Sequence, residues 1–371
     1  MLSCGEASGD LYAGALTREL RALDPAITVS GLGGPQFAAA GGDLIADYRG
    51  LAVTGLTEPI RKLPQYVATL RRLVDAAKTT RPDVLITVDF PDFNFRLARR
   101  IKQLQIPVVY YISPQVWAWR AGRLKTIRGI ADLVLVIFPF EEAIYRDAGV
   151  PVTFVGHPLV DLVPPADRES VLRRHGLPPA APMVAILPGS RSNEVSRILP
   201  GLVAAAGNIR KRIPDAQFIV ARAPGLPDRL FDVCPRDRFA IVEGETDAVL
   251  SAADVALTAS GTATVQAALH DTPMVIVYRV SPLTYYLGRP LVTVDMFGMV
   301  NLIAGEKIVP ELIQDAFTPA AVANEAISML TDRARQARIR DGLARVRRRL
   351  GGPGASRRAA EAILDVVRQR R

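Results

Sequence analysis

Short apolar, β-branched runs alternate along this chain with amphipathic stretches of helical period, and that alternation admits few folds. The runs at 27–31, 84–88, 108–112, 133–137 and 152–155 are bounded by Pro, Gly or Asp. They are apolar nearly throughout rather than at alternate positions, which predicts parallel strands covered by helices on both faces. Between them, residues 60–78 carry Leu63, Val67, Leu70, Val74 and Ala77 at helical spacing, and residues 95–104 repeat the pattern. A second series follows the Pro-rich stretch 158–165, with strands predicted at 183–187, 217–221, 239–242, 255–258 and 274–278. Asp-led apolar strands recur at 83–88, 132–136 and 254–258. The expected fold class is α/β, with two doubly wound Rossmann-like domains facing a cleft. The expected boundaries are 1–163 and 164–354, with a break at Gly351–Gly354 that lets a C-terminal helix, 355–371, complete the first domain.

With 371 residues, each domain has enough chain for its own core. Cys4 and Cys234 are the only cysteines and lie in no metal-ligand spacing, so a disulfide scaffold is not expected and a reducing, cytoplasmic setting fits. No signal peptide is visible, and the longest apolar run, 133–140, has the length of a strand rather than of a membrane span. The formal charge of +9 admits nucleic acid, an anionic membrane surface or phosphorylated substrates as partners, besides plain solubility. No zinc-finger spacing or ribonucleoprotein-type aromatic strand is present, so no nucleic-acid partner is expected.

Ligand chemistry in such folds sits on the turns between strand and helix. Gly5-Glu-Ala-Ser-Gly-Asp10 is one such turn, but Glu6 and Asp10 would repel a phosphate. The second half has better phosphate turns. Leu187-Pro-Gly-Ser-Arg191, with Gly189, Ser190, Arg191 and the nearby Glu194, follows a strand and offers a guanidinium for bidentate contact. Ser260, Gly261 and Thr262 open another helix after a strand. No Walker A motif occurs, and Gly31-Leu-Gly-Gly34 matches the dinucleotide fingerprint only in part, so neither ATP hydrolysis nor hydride transfer is favoured. Asp89 ends a buried strand and is the candidate general base, its pKa expected to be raised by burial. Asp92 reads as a helix N-cap. His157, before Pro158, reads equally as a ligand or as part of a hinge. Trp117 and Trp119, followed by Arg120, Arg123, Lys125 and Arg128, read either as core or as an amphipathic rim for acyl chains. No metal cluster stands out, so a departing diphosphate would be stabilised by helix N-termini and Arg, without metal or cofactor.

Seven ordered segments carry a resemblance: 5–10, 89–94, Ser113-Pro-Gln-Val-Trp-Ala-Trp-Arg120, Phe154-Val-Gly-His-Pro158, 187–191, Ser260-Gly-Thr-Ala-Thr264 and Asn301-Leu-Ile-Ala-Gly305. Nearly end to end, the chain resembles the lipid-A-disaccharide synthase family. The resemblance implies a glycosyltransferase of the B type that moves diacylglucosamine from UDP-2,3-diacylglucosamine onto lipid X with inversion, at the cytoplasmic face of the inner membrane. It implies Asp89 as the base, with Glu6, Ser8, Asp10, Trp117 and Trp119 on the acceptor side. Gly189, Ser190, Arg191, Glu194, Ser260, Gly261, Thr262, Gln266 and Asn301 would then hold the UDP-sugar. A homodimer formed by exchange of the C-terminal helix is compatible with it. Two departures stand out: Gln266 replaces a Glu common in relatives, and the first strand is short enough to suggest a truncated start. The competing readings are a UDP-sugar 2-epimerase, a lipid-linked peptidoglycan glycosyltransferase, and a non-catalytic lipid- or nucleotide-binding relative.

Overall fold

In the computed structural model, which describes residues 1–51, 58–114, 122–164, 167–280 and 296–370, each apolar run named above forms or overlaps a strand, and all strand pairs are parallel. The chain divides into unit 1, Met1–Asp161 with Leu350–Arg371, and unit 2, Leu162–Arg349. The crossing points therefore fall at 161/162 and 349/350 rather than after 163 and 354.

Unit 1 contains β1 (Leu2–Cys4), β2 (Ser30–Gly33), β3 (Asp43–Asp47), β4 (Leu85–Val88), β5 (Val108–Tyr111), β6 (Leu133–Val136) and β7 (Val152–Phe154), in the order β3-β2-β1-β4-β5-β6-β7. Its helices are α1 (Ala7–Leu23), α2 (Pro35–Ala39), α3 (Glu58–Thr80), α4 (Pro91–Lys102), α5 (Arg123–Ile130), α6 (Pro139–Asp147) and the short α7 (Leu159–Leu162) at the crossing. Unit 2 contains β8 (Met183–Leu187), β9 (Gln217–Arg222), β10 (Ala240–Glu243), β11 (Val255–Ala259), β12 (Met274–Tyr278) and β13 (Glu311–Ile313), in the order β10-β9-β8-β11-β12-β13. Its helices are α8 (Arg168–Arg174), α9 (Ser192–Arg212), α10 (Thr246–Ala252), α11 (Thr262–Leu269), α12 (Met299–Ala304), α13 (Pro319–Thr331) and α14 (Arg333–Arg349). The final helix, α15 (Ala355–Arg368), returns to unit 1.

In both sheets the first strand is central and the order reverses beside it, so the loops leaving its C-terminal end and that of its fourth-strand neighbour diverge to opposite faces. The short start of the chain still builds that central strand: Leu2 and Cys4 are fully buried, and Cys4 lies in register with Val88. One face of the unit 1 sheet is closed by α3 and α4, whose Leu70, Leu73, Phe93, Leu97 and Ile101 join Tyr110 and Val134 in one apolar cluster. On α1, Leu16 and Leu20 are buried, as are Ala359 and Ile363 of α15, which packs against it. The strand expected from Ile27 starts only at Ser30, because Asp24 bends the chain, accepting from Ala26 N (2.9 Å) and Ile27 N (3.1 Å).

Outgoing and returning chain are tied together within unit 1. The carboxylate of Asp161 accepts from Gly354 N (2.6 Å) and Ala355 N (2.9 Å), and His157 N donates to Leu350 O (2.8 Å). His157 belongs to this packing. Its ring lies edge-on to Tyr12 at 6.0 Å and beside Phe138 at 5.4 Å, and its Nδ1 accepts from Leu159 N at 3.2 Å. Burial pushes its pKa down to about 3, so the ring is neutral. An unfolded histidine titrates near 6.5, so between pH 6.5 and about 3 the unfolded chain binds the extra proton. The contribution is therefore intact above pH 6.5 and is lost as pH falls, by up to about 1.4 kcal/mol per pH unit. In urea titrations from pH 7 to 4.5, stability should fall more steeply in the native chain than in His157→Asn, and equal slopes would contradict a buried neutral ring.

Candidate active site

In unit 1 the reversal lies between β1 and β4, and the residues that follow those strands are Gly5 and Asp89. The backbone here is unusual. Asp89 (φ 45°) and Phe90 (φ 51°) are consecutive non-glycine residues in the left-handed region, and Ile112, just past β5, has φ 57°. Each such residue costs about 1–2 kcal/mol, and a β-branched one is a true outlier. Hydrogen bonds hold the distortion in place. Asp89 N donates to Tyr111 O (3.3 Å) and Ile112 O (3.2 Å), while Asp89 O accepts from Asn94 Nδ2 (2.7 Å) and the Tyr110 hydroxyl (2.9 Å). Asp89 itself is half-buried, less enclosed than its position after a buried strand predicts.

The Gly5–Asp10 turn is shorter than expected, since α1 begins at Ala7 rather than Leu11. Glu6 stands at its N-cap position and Ser8 in its first turn, both half-buried. A Cβ on Gly5 would lie 2.1 Å from the Phe90 ring, so glycine is needed for the two loops to interlock. Asp10 has partners within unit 1. It is 2 % exposed, and its carboxylate accepts from Gly34 N (2.8 Å), Gln36 N (2.9 Å) and Phe37 N (3.0 Å). It therefore seats the N-terminal end of α2. Asp92 is not an N-cap either: Phe90 takes that position, Pro91 opens α4, and Asp92 pairs with Arg123 at 2.9 Å. Trp117 and Trp119 lie outside the described residues.

In unit 2 the reversal lies between β8 and β11, whose loops carry the two expected phosphate turns. They are not equivalent. Before α9, Glu194 Oε2 accepts from Ser190 N at 3.0 Å, and Gly189 (φ 116°) leaves so little room that a Cβ would lie 2.2 Å from that oxygen. The chain's own carboxylate thus occupies this loop, and Arg191 sits at the N-cap position of α9. Before α11, by contrast, Gly261, Thr262 and Ala263 have N–H groups with no partner among the described residues, and a Cβ on Gly261 would meet nothing within 4 Å. An open helix end of this kind has the geometry to receive an anion. Ser260 borders it with its donors already used, N to Val277 O (3.0 Å) and Oγ to Phe297 O (2.9 Å). The Gln266 amide donates to Asp247 Oδ1 (3.1 Å), which also lies 3.1 Å from His270 Nε2.

Asn301 has its partners within unit 2. It is fully buried, Nδ2 donating to Val309 O (2.9 Å) and Glu311 Oε1 (2.8 Å) while Oδ1 accepts from Ile308 N (2.9 Å) and Val309 N (3.1 Å). All four of its hydrogen-bonding positions are used within unit 2, so it braces the site from beneath. Sequence reasoning missed Glu311, which accepts from Phe297 N and Gly298 N, each at 2.8 Å, and so fixes the loop that holds Ser260. It also missed Tyr278 at the end of β12, whose pKa is raised first by burial and then by Glu194, with Arg191 opposing. Nothing in the local sequence marks either residue. Among the described residues, no three His, Cys, Asp or Glu side chains are grouped to hold a metal ion. If Asp10 is structural, Asp10→Ala should lower unfolding free energy by about 2–3 kcal/mol in chemical denaturation, and unchanged stability would return it to the acceptor side.

The profile of the lipid-A-disaccharide synthetase family matches residues 1–366. The lipid-A-disaccharide synthase of Myxococcus xanthus is 43% identical over 373 residues, covering 99% of this chain and 97% of that protein. That of Syntrophus aciditrophicus is 43% identical over 378 residues, covering 100% and 98%. Among solved structures, UDP-GlcNAc 2-epimerase from Neisseria meningitidis, bound to UDP-GlcNAc, superposes with a TM-score of 0.70 at 11% identity, covering 98% of this chain and 99% of that one. A calicheamicin glycosyltransferase gives 0.61 at 16% identity, covering 99% and 98%, a likeness of fold alone. By its full-length family match, this chain belongs to the lipid-A-disaccharide synthase family of glycosyltransferases.

Proposed function

We propose that the protein transfers 2,3-diacylglucosamine from UDP to the 6-hydroxyl of 2,3-diacylglucosamine 1-phosphate (lipid X), releasing UDP and the β-1,6-linked disaccharide 1-phosphate. The observation that carries this reading is Asp89, held in a strained backbone at the strand reversal of unit 1. Its carboxylate takes the proton of the acceptor hydroxyl. The freed oxygen pair attacks the anomeric carbon from the face opposite the diphosphate, and the C1–O bond breaks with its electron pair passing to UDP. One displacement inverts the α-linked donor to the β-linked product. The charge that develops on the leaving diphosphate is met by Gly261, Thr262 and Ala263 N–H groups and by the Arg191 guanidinium, which follows Gly189 and Ser190 on the neighbouring turn after β8. Gln266, half-buried one turn into α11, offers its carbonyl oxygen to the ribose. Glu6 and Ser8, on the turn that leaves β1 beside β4, serve the acceptor side.

The acyl chains need an apolar surface. On α3, Leu63 is 55% exposed and, with Pro64, Val67, Ala68 and Arg71, lines a depression of about 430 Å³. No described helix is long and apolar enough to cross a membrane. On this proposal the protein works on an anionic membrane surface, at the cytoplasmic face, to which its formal charge of +9 attracts it.

Supplied with UDP-2,3-diacylglucosamine and lipid X, the protein should release UDP and the disaccharide phosphate in equal amounts, and folded protein that yields neither would defeat the proposal. Asp89→Ala should cut turnover by at least about a hundredfold while UDP binding, measured by calorimetry, is retained. Retained turnover would move the base elsewhere.

A further inference from the structure

We infer that Ser3, Asn94 and Tyr110 form a buried clamp on the backbone of Asp89 whose task is to aim its carboxylate, which makes them positioning residues for the transfer. The inference rests on Asp89 acting as the base. Asn94 donates through Nδ2 to Asp89 O at 2.7 Å, with Ser3 O (3.3 Å) and Val88 O (3.4 Å) as longer partners. Its Oδ1 accepts from Ser3 Oγ at 2.7 Å, which fixes which way the amide faces. Tyr110 donates to the same Asp89 oxygen at 2.9 Å. Ser3, Asn94 and Tyr110 are all fully buried. Burial holds the Tyr110 phenol well above its usual pKa, with Asp89 adding to the shift, so the group stays a donor at any working pH.

Side chains from two separate elements, α4 and β5, converging on one carbonyl, with Ser3 of β1 holding the first of them, is more than a turn of this length requires. A single backbone hydrogen bond satisfies a buried carbonyl. The second donor matters because the left-handed geometry of Asp89 and Phe90 is unfavourable on its own. If Asp89 relaxed to a negative φ, its Cβ would swing to a new direction and the carboxylate would leave its place at the sheet edge. The Phe90 ring against Gly5 opposes the same movement from the other side. Strain that is locked by buried, fully directed hydrogen bonds is a mark of a group whose direction matters.

The test compares Tyr110→Phe and Ser3→Ala with Tyr111→Phe, a matched control on the same strand. The Tyr111 hydroxyl lies beside Ser356, not Asp89. All are assayed well below their unfolding midpoints, with rates expressed per folded molecule. Tyr110→Phe should lower kcat about tenfold, since small displacements of a reacting group are costly, while the KM for the UDP-sugar stays unchanged because unit 2 binds it. Ser3→Ala, which acts only through Asn94, should lower kcat severalfold, and the double variant should lose less than the product of the two. Tyr111→Phe should keep the native kcat even if its midpoint falls. Native kcat in both Tyr110→Phe and Ser3→Ala, with Asp89→Asn inactive, would overturn the clamp and leave the base in place. If Tyr110→Phe does not fold, native kcat in Ser3→Ala alone overturns it. An active Asp89→Asn would instead overturn the base assignment itself.

Discussion

A parallel sheet whose first strand is central must send its connections to both faces, and everything functional in this protein depends on that constraint. Where the direction of winding changes, two neighbouring strands release their chains to opposite sides, and their C-terminal ends are left with backbone groups that no crossover covers. Unit 1 places Gly5 and Asp89 at this point, and unit 2 places Gly189 and Gly261 there. The same topology serves different chemistry because the residues on the loops differ. Unit 1 presents carboxylates and strained backbone, and unit 2 presents N–H groups and an arginine.

Helix N-termini attract anions, and this chain meets several of them with its own carboxylates. Asp10 fills the end of α2, and Glu194 covers the loop before α9. The N-terminal end of α11 is left open to an outside anion. Around it, the buried Asn301 and the half-buried Glu311 form a brace that reaches Ser260 through the loop at Phe297 and Gly298. Removing one partner from such a network leaves buried polar atoms unsatisfied, which costs more than the bond itself contributes.

Much of the fold was legible in the sequence, because strands buried on both faces declare themselves as continuous apolar runs. The apolar runs at 183–187 and 274–278 became β8 and β12 without a shift of boundary. β3 and β13 were missed because Asp43–Asp47 and Glu311–Ile313 lie at sheet edges, carry charge, and are only partly buried, so no apolar run marks them. At the site, residue type and turn position were readable, but occupancy was not. Asp10, Glu194 and Asn301 have suitable chemistry for a ligand, and only the fold reveals that backbone groups from residues 4 to 27 positions away already use them. The clamp on Asp89 was invisible for the same reason, since Ser3 and Asn94 stand 91 residues apart.

On the proposed function, the N-terminal end of α11, rather than the loop before α9, receives the diphosphate. Titrating the full-length protein with UDP while recording backbone amide resonances tests it directly. The largest shifts should fall at Gly261, Thr262 and Ala263, with smaller changes at Ser190 and Arg191. Shifts centred on 188–192 with the α11 amides unmoved, or confined to unit 1, would contradict it.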